Sequence, residues 1–162
     1  AHLAPYVRVS YEKYLREVAA EGQENDIQYS QSQIEKIAKR RTRKEVKDGV
    51  QTIQYQINTL ATSNGQSPFV SLFMYLEEAG EYEEEMAMIC EEMIRQRLEG
   101  MKNYKGQEIG EAFPKLVYLL DEHNCLEGGK YDYILFATLA LYFIAFVICI
   151  KMVGSKDKKK KA

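Results

Sequence analysis

The chain has 162 residues, enough for one modest domain, with 46% hydrophobic and 28% charged residues, an ordinary balance for a globular protein. A formal net charge of -2 gives no reason to expect nucleic-acid binding. Cys90, Cys125 and Cys149 are odd in number, far apart and without Cys-x-x-Cys spacing, and His2 and His123 are well separated, so neither a disulfide framework nor a metal constellation is expected. The start at Ala1 shows no basic and apolar leader pattern, which predicts no signal peptide, and the missing Met fits a fragment.

Pro5 to Ala20 reads as a helix, with Pro5 in its first turn and Tyr6, Val9, Tyr14 and Val18 near one face. Residues 21–26 are a polar break. Ser30 to Arg41 predicts a second, weaker helix anchored by Ile34 and Ile37. Its basic cluster of Lys36, Lys39, Arg40, Arg41, Arg43 and Lys44 reads either as a solvated helix face or as a phosphate-contact patch. Thr42-x-x-Glu45 has the form of a capping box and predicts a new helix starting there. Its apolar stripe of Val46, Val50, Ile53, Ile57 and Leu60 has the spacing of one helical face.

This helix delivers Asn58, Thr59 and a polar turn, Ser63-Asn64-Gly65-Gln66-Ser67-Pro68. Asn64-Gly65 tolerates positive φ and Pro68 cannot donate to a sheet ladder, so the helix ends here and a strand begins just after. A junction so rich in amides and hydroxyls can hold a polar ligand; equally, its side chains can simply satisfy their own backbone. Gln66 to Leu76 reads as a strand apolar on both faces, which predicts cover on both sides. Glu77 to Asn103 reads as one long amphipathic helix with Met86, Ile89, Cys90, Met93 and Ile94 inward. Its early carboxylates suit the helix dipole and read as a solvated acidic face rather than a metal site, and Cys90 as a buried, inert thiol. Residues 100–111 read as a loop and Phe113 to Leu120 as a second strand. His123 and Cys125 lie close in sequence, but no third partner supports a nucleophile–base pair. Tyr133 to Ile150 carries no charge and is followed by a lysine-rich tail. It is a transmembrane candidate at the lower limit of length, or a buried core helix.

Several of these stretches together resemble one family. The run QYQINTLATSNGQSPFV (54–70) resembles the segment of anaerobic (class III, glycyl-radical) ribonucleoside-triphosphate reductases that reads roughly hNhNT-x-x-x-x-x-G-x-Q-x-PF, h being apolar. PYVRVSYEKYL (5–15), RRTRKEVKDGVQ (40–51), AFPKLVYLLDE (112–122) and GGKYDY (128–133) fall in the family's order. The likeness covers about residues 5–133, and the apolar tail departs from the soluble helix expected there. A frameshift, a fusion or a truncated reading frame would each produce such a junction.

The resemblance implies an α/β fold: a mostly helical fragment with two strands of a glycyl-radical-enzyme barrel, followed by a C-terminal hydrophobic helix. It divides the chain into a partial barrel domain, 1–132, and a helix with basic tail, 133–162. It also implies radical reduction of ribonucleoside triphosphates to deoxyribonucleotides in the cytoplasm. Effector nucleotides, a radical-generating activase with an iron-sulfur cluster and S-adenosylmethionine, a zinc site, a glycyl radical and a homodimer belong to the full-length family. The helix at 5–15 would lie near the dimer interface. The radical-cysteine motif M-G-C-R, the glycyl-radical loop and the four-cysteine zinc site do not occur in this sequence. The fragment therefore binds no cofactor of its own and does not turn over alone. What carries over is the matched turn: Asn58, Ser63, Asn64, Gly65, Gln66 and Ser67 would face substrate. A small membrane-anchored helical interaction protein, held by residues 133–150, is the competing reading.

Overall fold

The computed structural model describes residues 2–60, 65, 69–102, 105–106, 108–109, 113–125 and 128–159; within these, side chains at 101–102, 108–109, 123, 125, 141, 145 and 148–159 are outside the description. Two compact units result, Ala1–Leu119 and Leu120–Ala162.

The first unit is built on three helices. Helix α1 spans Ala4–Glu24, with proline in its first turn as the sequence predicts, and continues four residues beyond the expected end. Its buried face is Ala4, Val7, Val18 and Gly22, with Tyr14 half-buried. Tyr6 and Val9 point to solvent instead, because steps of three and four from Ala4 select 7, 11, 14 and 18. Gly22 ends this face where the chain folds back: a Cβ there would meet the Ile27 carbonyl and the Tyr29 ring at 2.9 Å.

Helix α2 is a single helix, Gln31–Thr59, not two. The capping box that starts it is Ser30 with Gln33: the Gln33 N–H donates to Ser30 Oγ (3.3 Å), and the Ser30 N–H to Gln33 Oε1 (2.8 Å). Thr42 lies buried inside the helix and donates back to the Ala38 carbonyl (2.9 Å), which removes it from the capping role its spacing suggests. Val50 and Ile57 are buried from the expected stripe, while Leu60 is exposed.

The expected long helix after Leu76 is interrupted. Residues Glu77–Tyr82 form a 3-10 segment in which Gly80 takes φ 54°, ψ -120°, and α3 runs Glu83–Glu99. Gly80 adopts a backbone conformation closed to most L-residues, so the acidic run is split at that point. Gly100, with φ 66°, ends α3. Met86, Ala87, Ile89, Cys90, Met93 and Ile94 are buried along α3, as the periodicity predicts. α1 packs on α2 and on α3, and α2 on α3.

Strand β1 spans Ser71–Met74. Two short strands, β2 (Met101–Lys102) and β3 (Glu108–Ile109), pair antiparallel in a stretch that reads as a loop by sequence. Strand β4, Lys115–Tyr118, pairs parallel with β1 in the register Ser71 with Lys115 through Met74 with Tyr118. Both strands were expected, but cover on both faces is not found. Met74 is buried, whereas Phe73 and the preceding Phe69 are exposed. Two strands have too few neighbours among the described residues to shelter both faces. The observed class is thus mostly helical with a two-stranded parallel sheet.

In the second unit, α4 is one turn, Glu122–Cys125, and α5 spans Asp132–Lys159. The charge-free run is helical, but the transmembrane expectation for 133–150 is corrected. Among the described residues no helix is long and apolar enough to cross a membrane. The membrane-anchor reading loses its support with this element.

Candidate functional site

The turn singled out by sequence sits where α2 ends and the sheet begins. Leu60 leaves the helix in an extended conformation, its N–H still donating to the Gln56 carbonyl (2.9 Å). In the last turn, Thr59 Oγ1 donates to the Tyr55 carbonyl (2.7 Å). Asn58 is half-buried and makes two hydrogen bonds through one nitrogen: Nδ2 donates to the Gln54 carbonyl (2.8 Å) and to the Phe113 carbonyl (3.1 Å). Gly65 is exposed with φ 73°, the positive φ that the Asn-Gly pair predicts. Ser63, Asn64, Gln66 and Ser67 lie outside the described residues.

The far side of the turn is fixed by the start of both strands. The Phe69 and Phe113 rings meet edge to face, with centroids 5.0 Å apart and planes at 89°. The Lys115 N–H donates to the Val70 carbonyl (2.8 Å), opening the β1–β4 ladder. The Phe113–Pro114 peptide is cis, and Arg97 Nη2 donates to the Pro114 carbonyl. Sequence reading misses Arg97 and Phe113 as members of this junction. Their partners are 17 and 55 residues away, and no local pattern encodes such contacts.

The charged clusters resolve into ion pairs. Arg41 grips Glu21 with two bonds of 2.7 Å and holds its carboxyl below the usual range. Arg43 lies 3.6 Å from Glu91, and Lys44 lies 2.9 Å from Asp48. Half of the basic cluster is therefore engaged within the chain. From the acidic run, Glu85 is buried and paired with Arg8, which also donates to the Glu81 carbonyl (3.1 Å) and lies over the Tyr82 ring. Cys90 is fully buried in α3, and burial pushes its thiol up to about 12. Among the described residues no group of three or more His, Cys, Asp or Glu is placed to hold a metal ion.

A separate polar cleft of about 790 Å³ lies between α2 and the end of α3, lined by Lys47, Gln51, Gln54, Tyr55, Gln96 and Glu99 among others. Gln96 spans it, donating to the Lys47 carbonyl (2.8 Å) and to Glu92 (3.0 Å). Gln54 is buried, and its amide nitrogen has no partner among the described residues.

The site so built is a helix-to-strand junction offering backbone and amide groups, without a nucleophile or acid–base pair among its described side chains. A family model described as anaerobic ribonucleoside-triphosphate reductase matches residues 1–160. The chain belongs to that family. The match runs through α5, so it extends past residue 133, where the sequence motifs alone stop. Proteins named anaerobic ribonucleoside-triphosphate reductase share 34% identity with the chain in Haemophilus influenzae and 38% in Escherichia coli. Each of these matches covers 132 residues, 81% of this chain and 16% of the relative. The protein of that name from Enterobacteria phage T4 is 31% identical over 121 residues, 74% of this chain and 17% of its own. The chain thus spans about a sixth of the length of the curated relatives it matches.

Proposed function

We propose that this chain contributes part of the substrate-binding wall of an anaerobic ribonucleoside-triphosphate reductase. That enzyme converts ribonucleoside triphosphates to 2′-deoxyribonucleoside triphosphates in the cytoplasm. The observation that carries the reading is the family match over residues 1–160. The β1–β4 pair supplies two neighbouring parallel strands of the proposed glycyl-radical-enzyme barrel. In this reading Asn58, Ser63, Asn64, Gly65, Gln66 and Ser67 face the substrate. Amide, hydroxyl and backbone groups suit that task, because they bind ribose and phosphate oxygens without adding a group that could quench a radical.

The family's glycyl radical, zinc and activase cluster have no counterpart among these residues. The sequence has three cysteines, well separated, and the one whose side chain is described, Cys90, is buried alone in α3. The chain's part is to bind and orient the nucleotide and to wall off water. For the homodimer and its effector nucleotides, the proposed surface is α1 with its neighbours. Leu3, Tyr6 and Val9 are exposed there, beside an apolar groove of about 230 Å³ lined by Val7, Val46, Val50 and Ile53 among others.

The test uses an intact enzyme carrying this segment. Gln66→Ala and Ser67→Ala should each raise KM for the ribonucleoside triphosphate at least fivefold, the effect of losing about one hydrogen bond. Unchanged KM and kcat in both variants would refute the substrate-facing turn.

A further inference from the structure

We propose that Asn58 and Arg97 are positioning residues that hold the two ends of the substrate turn at a fixed separation. The inference rests on the reading of the 58–67 turn as substrate-facing.

Phe113 and Pro114 immediately precede β4, so their carbonyls lie before the ladder register that begins at Lys115. Pro114 is buried and has no N–H of its own. Phe113 is half-buried, and carbonyls withdrawn from water require donors; here side chains from two different helix ends provide them. Asn58, in the last turn of α2, donates to the Phe113 carbonyl (3.1 Å). Arg97, in the last turn of α3, donates to the Pro114 carbonyl. Two consecutive carbonyls are thus taken by two helices.

The same dipeptide also holds the other end of the turn. The Phe69 ring stands edge-on against Phe113, and Val70 accepts from the Lys115 N–H one residue past Pro114. Asn58 before the turn and Phe69–Val70 after it are therefore both fastened to residues 113–115. A loop whose ends are held in place loses less conformational entropy when it orders around a ligand. Both donations of Asn58 Nδ2 go to carbonyls, so any bond from this residue to a ligand would use Oδ1. Removing the Nδ2 donor should weaken substrate binding through the turn and leave the chemical step nearly intact.

Two readouts test this. In the chain itself, Asn58→Asp keeps the shape of the side chain and removes the donor, and Arg97→Gln shortens the reach to Pro114. Each should speed amide exchange of Lys115, at the latched end of the ladder, at least tenfold. Exchange of Leu119, whose N–H donates to the Met74 carbonyl at the other end, should stay within twofold. Equal acceleration at both amides, or none at Lys115, overturns the latch. In an intact enzyme carrying this segment, Arg97→Gln should raise KM for the nucleotide at least fivefold with kcat within twofold, and Arg97→Lys, which keeps a charged donor, should recover part of the loss. If Gln66→Ala raises KM while Arg97→Gln does not, the turn binds substrate and the positioning role is refuted by itself. If neither variant moves KM, the substrate reading fails and the positioning role falls with it.

Discussion

Replacing Arg8 with Met tests how α1 is held to the acidic segment of the fold. Arg8 and Glu85 are paired across 77 residues, with side chains 36% and 10% exposed. Exposed pairs are worth about 0.2–1 kcal/mol, and breaking a buried one costs about 3–5 kcal/mol. This pair lies between those limits, and the exposure of Arg8 places it toward the lower one, at about 1–2 kcal/mol. The substitution also removes the bond to the Glu81 carbonyl, worth about 1 kcal/mol net. The Arg8–Tyr82 contact at 5.4 Å adds about 0.5 kcal/mol. The total is about 3 kcal/mol, which moves a urea midpoint by roughly 1–2 M for a chain of this size. Arg8→Met alone leaves the Glu85 carboxylate buried, with Oε2 already lacking a partner among the described residues. Arg8→Met with Glu85→Met removes the stranded charge and should be more stable than Arg8→Met. Urea unfolding of the four species, followed by circular dichroism, gives the coupling energy directly. A double variant as destabilised as the sum of the singles would refute this account of the pair.

Three further outcomes follow from the packing. Thr42→Val should change stability by less than about 1 kcal/mol in thermal unfolding, because the hydroxyl bonds back within α2 and caps nothing; a substantially larger loss would restore the helix start at Thr42. Cys90 should resist thiol reagents at pH 8 in the folded chain and react only on unfolding. The stability tied to its protonated state is present below the unfolded value near 9.0 and is lost as pH rises from there toward 12; rapid labelling of the folded chain would contradict its burial. Glu21 should titrate below an ordinary carboxylate by NMR and move back up in Arg41→Gln. Its contribution to stability is present above the unfolded pKa and is lost as pH falls through the lowered folded value.

The sequence shows most clearly what is local. Pro5 marks the start of α1, the three-four spacing of Met86 to Ile94 marks the buried face of α3, and the β-prone runs after Pro68 and at Phe113 mark β1 and β4. In α2 the sequence pattern at Thr42 points to a helix start, whereas the capping box that forms is Ser30 with Gln33. The outcome follows from the lack of any breaker between Gln31 and Thr42, which leaves the chain free to stay helical. Gly80 looks like an ordinary helix glycine until its positive φ is seen. For the candidate site, the family motif picks out the turn, and Gly65 has the conformation its Asn-Gly setting implies. The contacts beside that turn were not legible, because only the fold brings the Phe113 carbonyl to Asn58.

The most direct test of the central claim is photo-crosslinking of an intact enzyme carrying this segment, using a ribonucleoside triphosphate with an azidoanilide on its γ-phosphate and peptide mapping of the label. The account predicts labelling within residues 58–70, suppressed by excess unmodified nucleotide and reduced in Gln66→Ala. Suppressible labelling confined to other parts of the enzyme would contradict it.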